Sequence, residues 1–215
     1  MDSTDVWLLF PSMGIISMLF DSFIDMLIKE ALVKTTWKER EPMTKVLPGR
    51  YTAQIDEPFV VFLIGMRINQ WFAFSKWIPT ARAMGPMLRT LRQHSERGFL
   101  GAQVFFYWRG IAIVQYWRSF EDLEAFARNR EEPHLAAWRR YNRAIGSDGS
   151  VGFWHESYLV NAGQYEGVYG NMPVFGLAAA TSQVPAVGRR ETARRRLGGE
   201  NEPAVTSPPT PDVAD

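Results

Sequence analysis

Apolar and polar positions alternate between two periods along the middle of the chain. Residues 58–69 include Phe59, Val60, Val61, Phe62, Leu63, Ile64 and Met66, an apolar run too short for an ordinary helix and closed by Asn69-Gln70, which predicts a strand. From residue 77 to 94 the apolar positions Trp77, Ile78, Ala81, Met84, Leu88 and Leu91 recur at three- and four-residue steps, with Arg82, Arg89 and Arg92 off the stripe. That spacing predicts a helix, with Pro79 in its first turn and a bend near Gly85-Pro86. Residues 103–108 and 111–118 return to β-branched and aromatic side chains, and Arg109-Gly110 between them suits a tight hairpin. Ser119-Phe-Glu-Asp opens a second helix in capping-box style, carrying Leu123, Phe126 and Ala127 on one face. Pro133 starts a further helical piece to residue 141. After the turn Gly146-Ser-Asp-Gly149, residues 151–160 form a fourth strand.

The resulting order, β-α-β-β-α-β, predicts an α+β fold of the ferredoxin-like, split βαβ kind. Its helices cover one sheet face, so the other needs a second subunit or a ligand-filled cavity. Bulky residues serve both faces: Phe105, Tyr107, Ile113, Gln115 and Trp117 read as one parity, and Phe106, Trp108, Val114, Tyr116 and Arg118 as the other.

Outside this core the pattern changes. Residues 6–20 carry no charge but are too few, and too diluted by Pro11, Ser12, Gly14 and Ser17, to match the roughly 20 apolar residues that cross a bilayer. Asp2 and Asp5 stand where a signal peptide needs basic residues. Phe20, Phe23, Ile24, Leu27 and Ile28 prolong an apolar helical stripe, leaving two readings: a helix docked on core or oligomer interface, or a peripheral membrane contact through residues 6–28. No aromatic residue follows Phe175, and residues 181–215 are rich in Pro, Gly, Arg and Glu, so they are expected to be a disordered tail. The expected organisation is thus an apolar helix and extended lead-in over 1–50, a ferredoxin-like domain over 51–180, and a tail over 181–215.

Composition then removes several classes. With 24 basic and 23 acidic residues in 215, nucleic acid is not an expected partner. Without cysteine there is no disulfide framework or thiolate nucleophile, and His94, His134 and His155 lack the spacing of a multi-histidine metal site. No GxGxxG or P-loop phosphate cradle is present, so no nucleotide cofactor is expected. A cytoplasmic location is expected, with membrane association left open by the N-terminal stripe.

Chemical potential concentrates in Gly152-Phe-Trp-His-Glu-Ser-Tyr158, followed by Tyr165-Glu166 and Tyr169-Gly-Asn-Met-Pro173. His155 is the leading acid/base candidate, because an imidazole titrates near neutral pH. Strand alternation puts His155 on one face with Phe153 and Ser157, and Trp154, Glu156 and Tyr158 on the other, so at most one set lines a given cavity. Tyr158 is a second catalytic candidate. Asn171, ahead of Met172-Pro173, is a candidate donor to a substrate oxygen, although turn chemistry explains an asparagine there equally well. Trp154, Glu156, Tyr107, Trp117 and Tyr169 are candidate substrate contacts.

The strand pattern, Val151-Gly-Phe-Trp-His-Glu-Ser-Tyr158 and Tyr169-Gly-Asn-Met-Pro-Val-Phe-Gly-Leu177 together resemble a fungal and bacterial family of small monooxygenase-like proteins typified by an enzyme of fumagillin biosynthesis. That family is a branch of the antibiotic-biosynthesis-monooxygenase type. The resemblance covers residues 40–180. It implies a dimeric α+β barrel, with homodimer sheets packed face to face and a pocket between each sheet and its helices, and a tailoring role on polyketides or terpenoids. The function expected is therefore a monooxygenase taking a small hydrophobic substrate and dioxygen, with His155 as acid/base and no metal or flavin cofactor. Two alternatives use the same fold: a haem enzyme with His155 as axial ligand, and a non-redox accessory protein that binds a lipophilic intermediate.

Overall fold

A computed structural model describes residues 45–129 and 148–206; the expected helices at 6–28 and 133–141, and residues 207–215, lie outside that range. The chain falls into two units, residues 1–39 and 40–215, and all described residues belong to the second.

Among the described residues the elements follow in the order β1 (Leu47–Gln54), β2 (Phe59–Ile68), α1 (Phe74–Gln93), β3 (Phe99–Tyr107), β4 (Gly110–Trp117), α2 (Phe120–Arg128), β5 (Val151–Val160), β6 (Tyr169–Met172), α3 (Gly176–Ala180), β7 (Ser182–Pro185) and α4 (Ala193–Arg196). The run from β2 to β5 is the expected βαββαβ unit. Its sheet is antiparallel in the order β3-β4-β2-β5. β2 is central because it is the most continuously apolar strand, and a strand with neighbours on both edges tolerates few polar side chains.

The helices lie on one face. Leu88 and Leu91 of α1 and Leu123 and Phe126 of α2 pack with Val60, Phe99, Ile113 and Trp117, and Phe62, Ile64, Met84 and Met87 pack against that cluster. Ser119 caps α2 as its sequence suggests, accepting a hydrogen bond from the Asp122 amide at 3.1 Å. The β3–β4 turn differs by one residue from expectation. Trp108 and Arg109 form it, Arg109 takes the left-handed φ of 71°, and Gly110 is already paired with Tyr107. Residues directly opposite across the hairpin share a face, so from Gly101 onward odd positions of β3 align with even positions of β4, whereas a bulge before Gly101 sets Phe99 against Trp117. Tyr107 and Phe105 therefore lie on the face of Ala112 and Val114, opposite to Ile113, Gln115 and Trp117.

Two expectations about the flanks are corrected. Leu47–Gln54, whose first half was assigned to an extended lead-in, is β1, the middle strand of a second sheet in the order β6-β1-β7. Residues 182–206, expected to be disordered, instead form β7 and α4. Two features offset their low apolar content. β7 pairs with β1 from Tyr51↔Pro185 to Gln54↔Ser182, and Ala186 is buried. The Arg196 side chain is only 6% exposed and pairs with Glu166, while its guanidinium also donates to the Arg190 carbonyl at 2.7 Å. A charged tail orders when its arginines find carboxylates and carbonyls in fixed positions.

This second layer covers one end of the helix-free face of the main sheet. Leu177 and Ala178 of α3 are buried against Phe59 and Ala53, with Val61, Leu100, Tyr116, Val160, Tyr165 and Tyr169 around them. Gly101 admits the approach, since a Cβ there would lie 3.0 Å from that of Ala180. Among the described residues, no helix is long and apolar enough to cross a membrane.

Burial beneath this layer, with Tyr169 beside it, pushes the Tyr116 phenol from 10.0 up to about 12. As pH rises from about 10 to about 12, the unfolded chain loses a proton that the native phenol keeps, so stability falls through that window. Denaturation midpoints measured across it should decline less steeply for Tyr116→Phe than for the parent chain; an identical decline would show that this phenol is not buried in solution.

Candidate active site

β5 is an edge strand paired with β2 over its whole length, from Phe59↔Val160 to Ile68↔Val151. Because opposite residues share a face, this register assigns every candidate on β5 to one side of the sheet. His155 faces Ile64, and Phe153 faces Met66, both on the helix side. Trp154 faces Gly65, Glu156 faces Leu63 and Tyr158 faces Val61, all on the opposite side.

On the helix side, the exposed His155 imidazole stands between two phenyl rings, 5.8 Å from that of Phe62 and 5.6 Å from that of Phe153. Among the described residues neither of its nitrogens has a hydrogen-bond partner. Phe62 and Ile64 join it to the apolar cluster beneath α1. The arrangement is one titratable group on an otherwise apolar surface, with both nitrogens open to a ligand.

The opposite side is built differently. The Trp154 indole lies flat across β2: a Cβ on Gly65 would sit 2.7 Å from its Nε1. That Nε1–H donates to the Tyr107 hydroxyl at 3.2 Å, which donates to the Met66 carbonyl at 2.7 Å. Tyr107 in turn covers Gly110, where a Cβ would meet its hydroxyl at 2.6 Å. Two glycines thus let two aromatic rings lie on the backbone as a continuous floor from β5 to β3. Beside it the Tyr158 hydroxyl donates to Glu156 Oε2 at 2.6 Å, and that carboxylate raises the phenol's pKa by favouring its protonated form.

The remaining candidates fall elsewhere. Trp117 is 0% exposed, wedged between Phe99 and Phe126 with ring centroids at 5.4 and 5.6 Å, and its Nε1–H donates to Gln115 Oε1 at 2.9 Å. It is core packing between sheet and helices rather than a substrate contact. Asn171 sits in β6 with φ 50°, and its Oδ1 accepts the Gly49 amide at 2.9 Å where β1 bulges. Turn chemistry accounts for it, on a different sheet from His155. Tyr169 is half-buried beneath α3, its hydroxyl accepting the Ala178 amide at 3.3 Å. Sequence reasoning missed Phe62, Gly65 and Gly110 as parts of these surfaces. An isolated glycine in the most apolar strand was the available signal, since such a glycine marks a close approach. Among the described residues, no group of three or more His, Asp or Glu is placed to hold a metal ion.

A sheet in this order, with both helices of the unit on one face, defines a ferredoxin-like α+β domain. Within that class the family model described as Monooxygenase af470-like matches residues 59–177, and the chain belongs to that family. Monooxygenase af470 of Aspergillus fumigatus is 31% identical to it over 152 residues, which are 60% of this chain and 53% of that protein. The chain spans about half the length of that curated relative. A crystal structure of aldoxime dehydratase is similar with a TM-score of 0.52 and 17% identity, over 69% of this chain and 44% of that one. An aldoxime dehydratase in complex with butyraldoxime gives 0.51 and 13%, over 67% and 41%. At such identities the likeness is one of fold alone.

The Gly65–Trp154 contact is testable by a double-mutant cycle. Gly65→Ala should destabilise the chain by about 1–3 kcal/mol in chemical denaturation, as overpacking does. In a Trp154→Ala background the same change should cost much less; equal costs in the two backgrounds would mean that the indole does not lie on Gly65.

Proposed function

We propose that this chain is a monooxygenase-type enzyme that oxidises a small hydrophobic substrate on the helix side of its sheet, with His155 as the acid/base. Family membership supports the reaction class, and the observation that carries the residue assignment is the His155 imidazole between Phe62 and Phe153. Phe62, Ile64 and Phe153 take the substrate-lining role on this side. Trp154, Glu156, Tyr158 and Tyr107 lie across the sheet and cannot touch the same molecule within this chain.

An apolar surround suits a substrate whose own carbon acid supplies the electrons. His155 removes a proton from an activated CH2, such as one beside a carbonyl or between aromatic rings. The resulting carbanion passes its electron pair to dioxygen and forms a C–O bond, and the imidazolium returns the proton to the peroxide oxygen. Loss of the second C–H proton with cleavage of the O–O bond then leaves a ketone and water. One oxygen atom enters the product, the other leaves as water, and the four electrons come from the carbon, so no external reductant is required. The two phenyl rings offer the substrate an apolar surface beside the imidazole. The apolar lining supports a hydrophobic substrate, and the family resemblance supports a polyketide- or terpenoid-like intermediate as its class.

If a haem were the cofactor, the same imidazole would hold it, and the haem would supply dioxygen activation. A host expressing the chain under isotopically heavy dioxygen should accumulate a product carrying one labelled oxygen. A correctly folded His155→Ala variant should lower its formation by about 100-fold or more, the usual scale of general acid–base catalysis. Unchanged labelling in the variant would remove His155 from the reaction. A Soret band that disappears in His155→Ala would replace the cofactor-free reading with the haem one, and conversion that proceeds equally under nitrogen would support the accessory-protein reading.

A further inference from the structure

The end of the sheet that carries the β2–α1 connection and the β3–β4 turn projects large aromatic rings into solvent. Phe72 is 83% exposed, Trp108 81% and Phe74 49%. Trp71 lies among them, its ring 6.2 Å from that of Trp108, while Phe72 and Phe74 meet at 6.3 Å. These rings come from the β2–α1 connection with the first residue of α1 and from the β3–β4 turn, and hydrogen bonds tie both segments to the fold. The Arg109 guanidinium donates to the Ile68 and Asn69 carbonyls at 2.8 and 2.5 Å and stacks 5.7 Å from the Trp71 ring centroid. Trp77 Nε1–H donates to the Trp71 carbonyl at 3.0 Å, fixing the loop to α1. A contiguous aromatic patch kept exposed by such bracing marks an interaction surface.

We propose that this tip docks on an anionic lipid bilayer. Tryptophan and phenylalanine on projecting loops suit the headgroup region, which accepts apolar rings at modest depth. The charges behind the rings complement it. Arg67 is exposed two residues before the loop, Lys76 follows it, and Arg109 lies in the turn. Among the described residues at this end only Asp148 opposes them, bound to Lys76, so three cations against one anion leave the tip a net charge of +2, of which Arg67 is the exposed part. Basic groups set just behind an aromatic rim meet lipid phosphates when the rings insert. None of its residues belongs to the helix-side set of His155, Phe62, Ile64 and Phe153.

Co-sedimentation of the full chain with phosphatidylcholine vesicles, with and without phosphatidylserine, tests this directly. The chain should partition onto the phosphatidylserine vesicles, less so as salt is raised. Phe72→Ser combined with Trp108→Ser should weaken partitioning by about tenfold or more, with secondary structure unchanged by circular dichroism. Arg67→Gln should reduce the preference for phosphatidylserine vesicles over neutral ones. Failure of the parent chain to bind either vesicle would overturn the proposal. So would equal binding by the double variant, which would assign the contact to another segment, or a vesicle-free change in oligomeric state, which would make the tip a protein–protein contact.

Discussion

The pairing of β2 with β5 decides what this protein presents to a ligand. Ten residues of β2 lie against ten of β5 without interruption, and each pair assigns a side chain to the helix side or to the other. A shift of one residue would carry His155 across the sheet and bring Trp154 under the helices. Gly65 holds the register from one side, because only a glycine lets the Trp154 indole lie on the strand. Phe62 holds it from the other by meeting His155 ring to ring.

From that pairing follow two surfaces of different character. The helix side offers an exposed imidazole between two phenyl rings. The other side is an aromatic floor closed at one end by α3 and bordered by the Glu156–Tyr158 hydrogen bond. The C-terminal layer belongs to the same logic: β7 and α3 cover part of the face that a lone ferredoxin-like unit leaves bare, and the Arg196–Glu166 pair anchors the segment that follows.

Much of this was legible in the residues because the governing signals are local. Periodicity located the βαββαβ unit, the Ser119 cap placed α2, and strict alternation separated His155 from Trp154 and Glu156. What was not legible depends on partners distant in sequence. Leu47–Gln54 becomes a strand because Tyr169–Met172 and Ser182–Pro185 pair with its two edges, and neither edge advertises the other. The parity of Tyr107 relative to Trp117 was misread because any two-residue turn sets odd positions of β3 against even positions of β4, whichever two residues form it. Asn171, ahead of Met172-Pro173, was a candidate donor to a substrate oxygen, but its Oδ1 accepts the amide of Gly49, 122 residues away.

The central claim is that His155 shares its face with Phe62 and Phe153 while Trp154 and Tyr158 lie across the sheet. Nuclear Overhauser contacts from the His155 ring protons in the folded chain test it most directly. The account predicts contacts to the ring protons of Phe62 and Phe153. Contacts from His155 to the rings of Trp154 or Tyr158 instead, without those to Phe62, would contradict the register and the assignment of the reaction to the helix side.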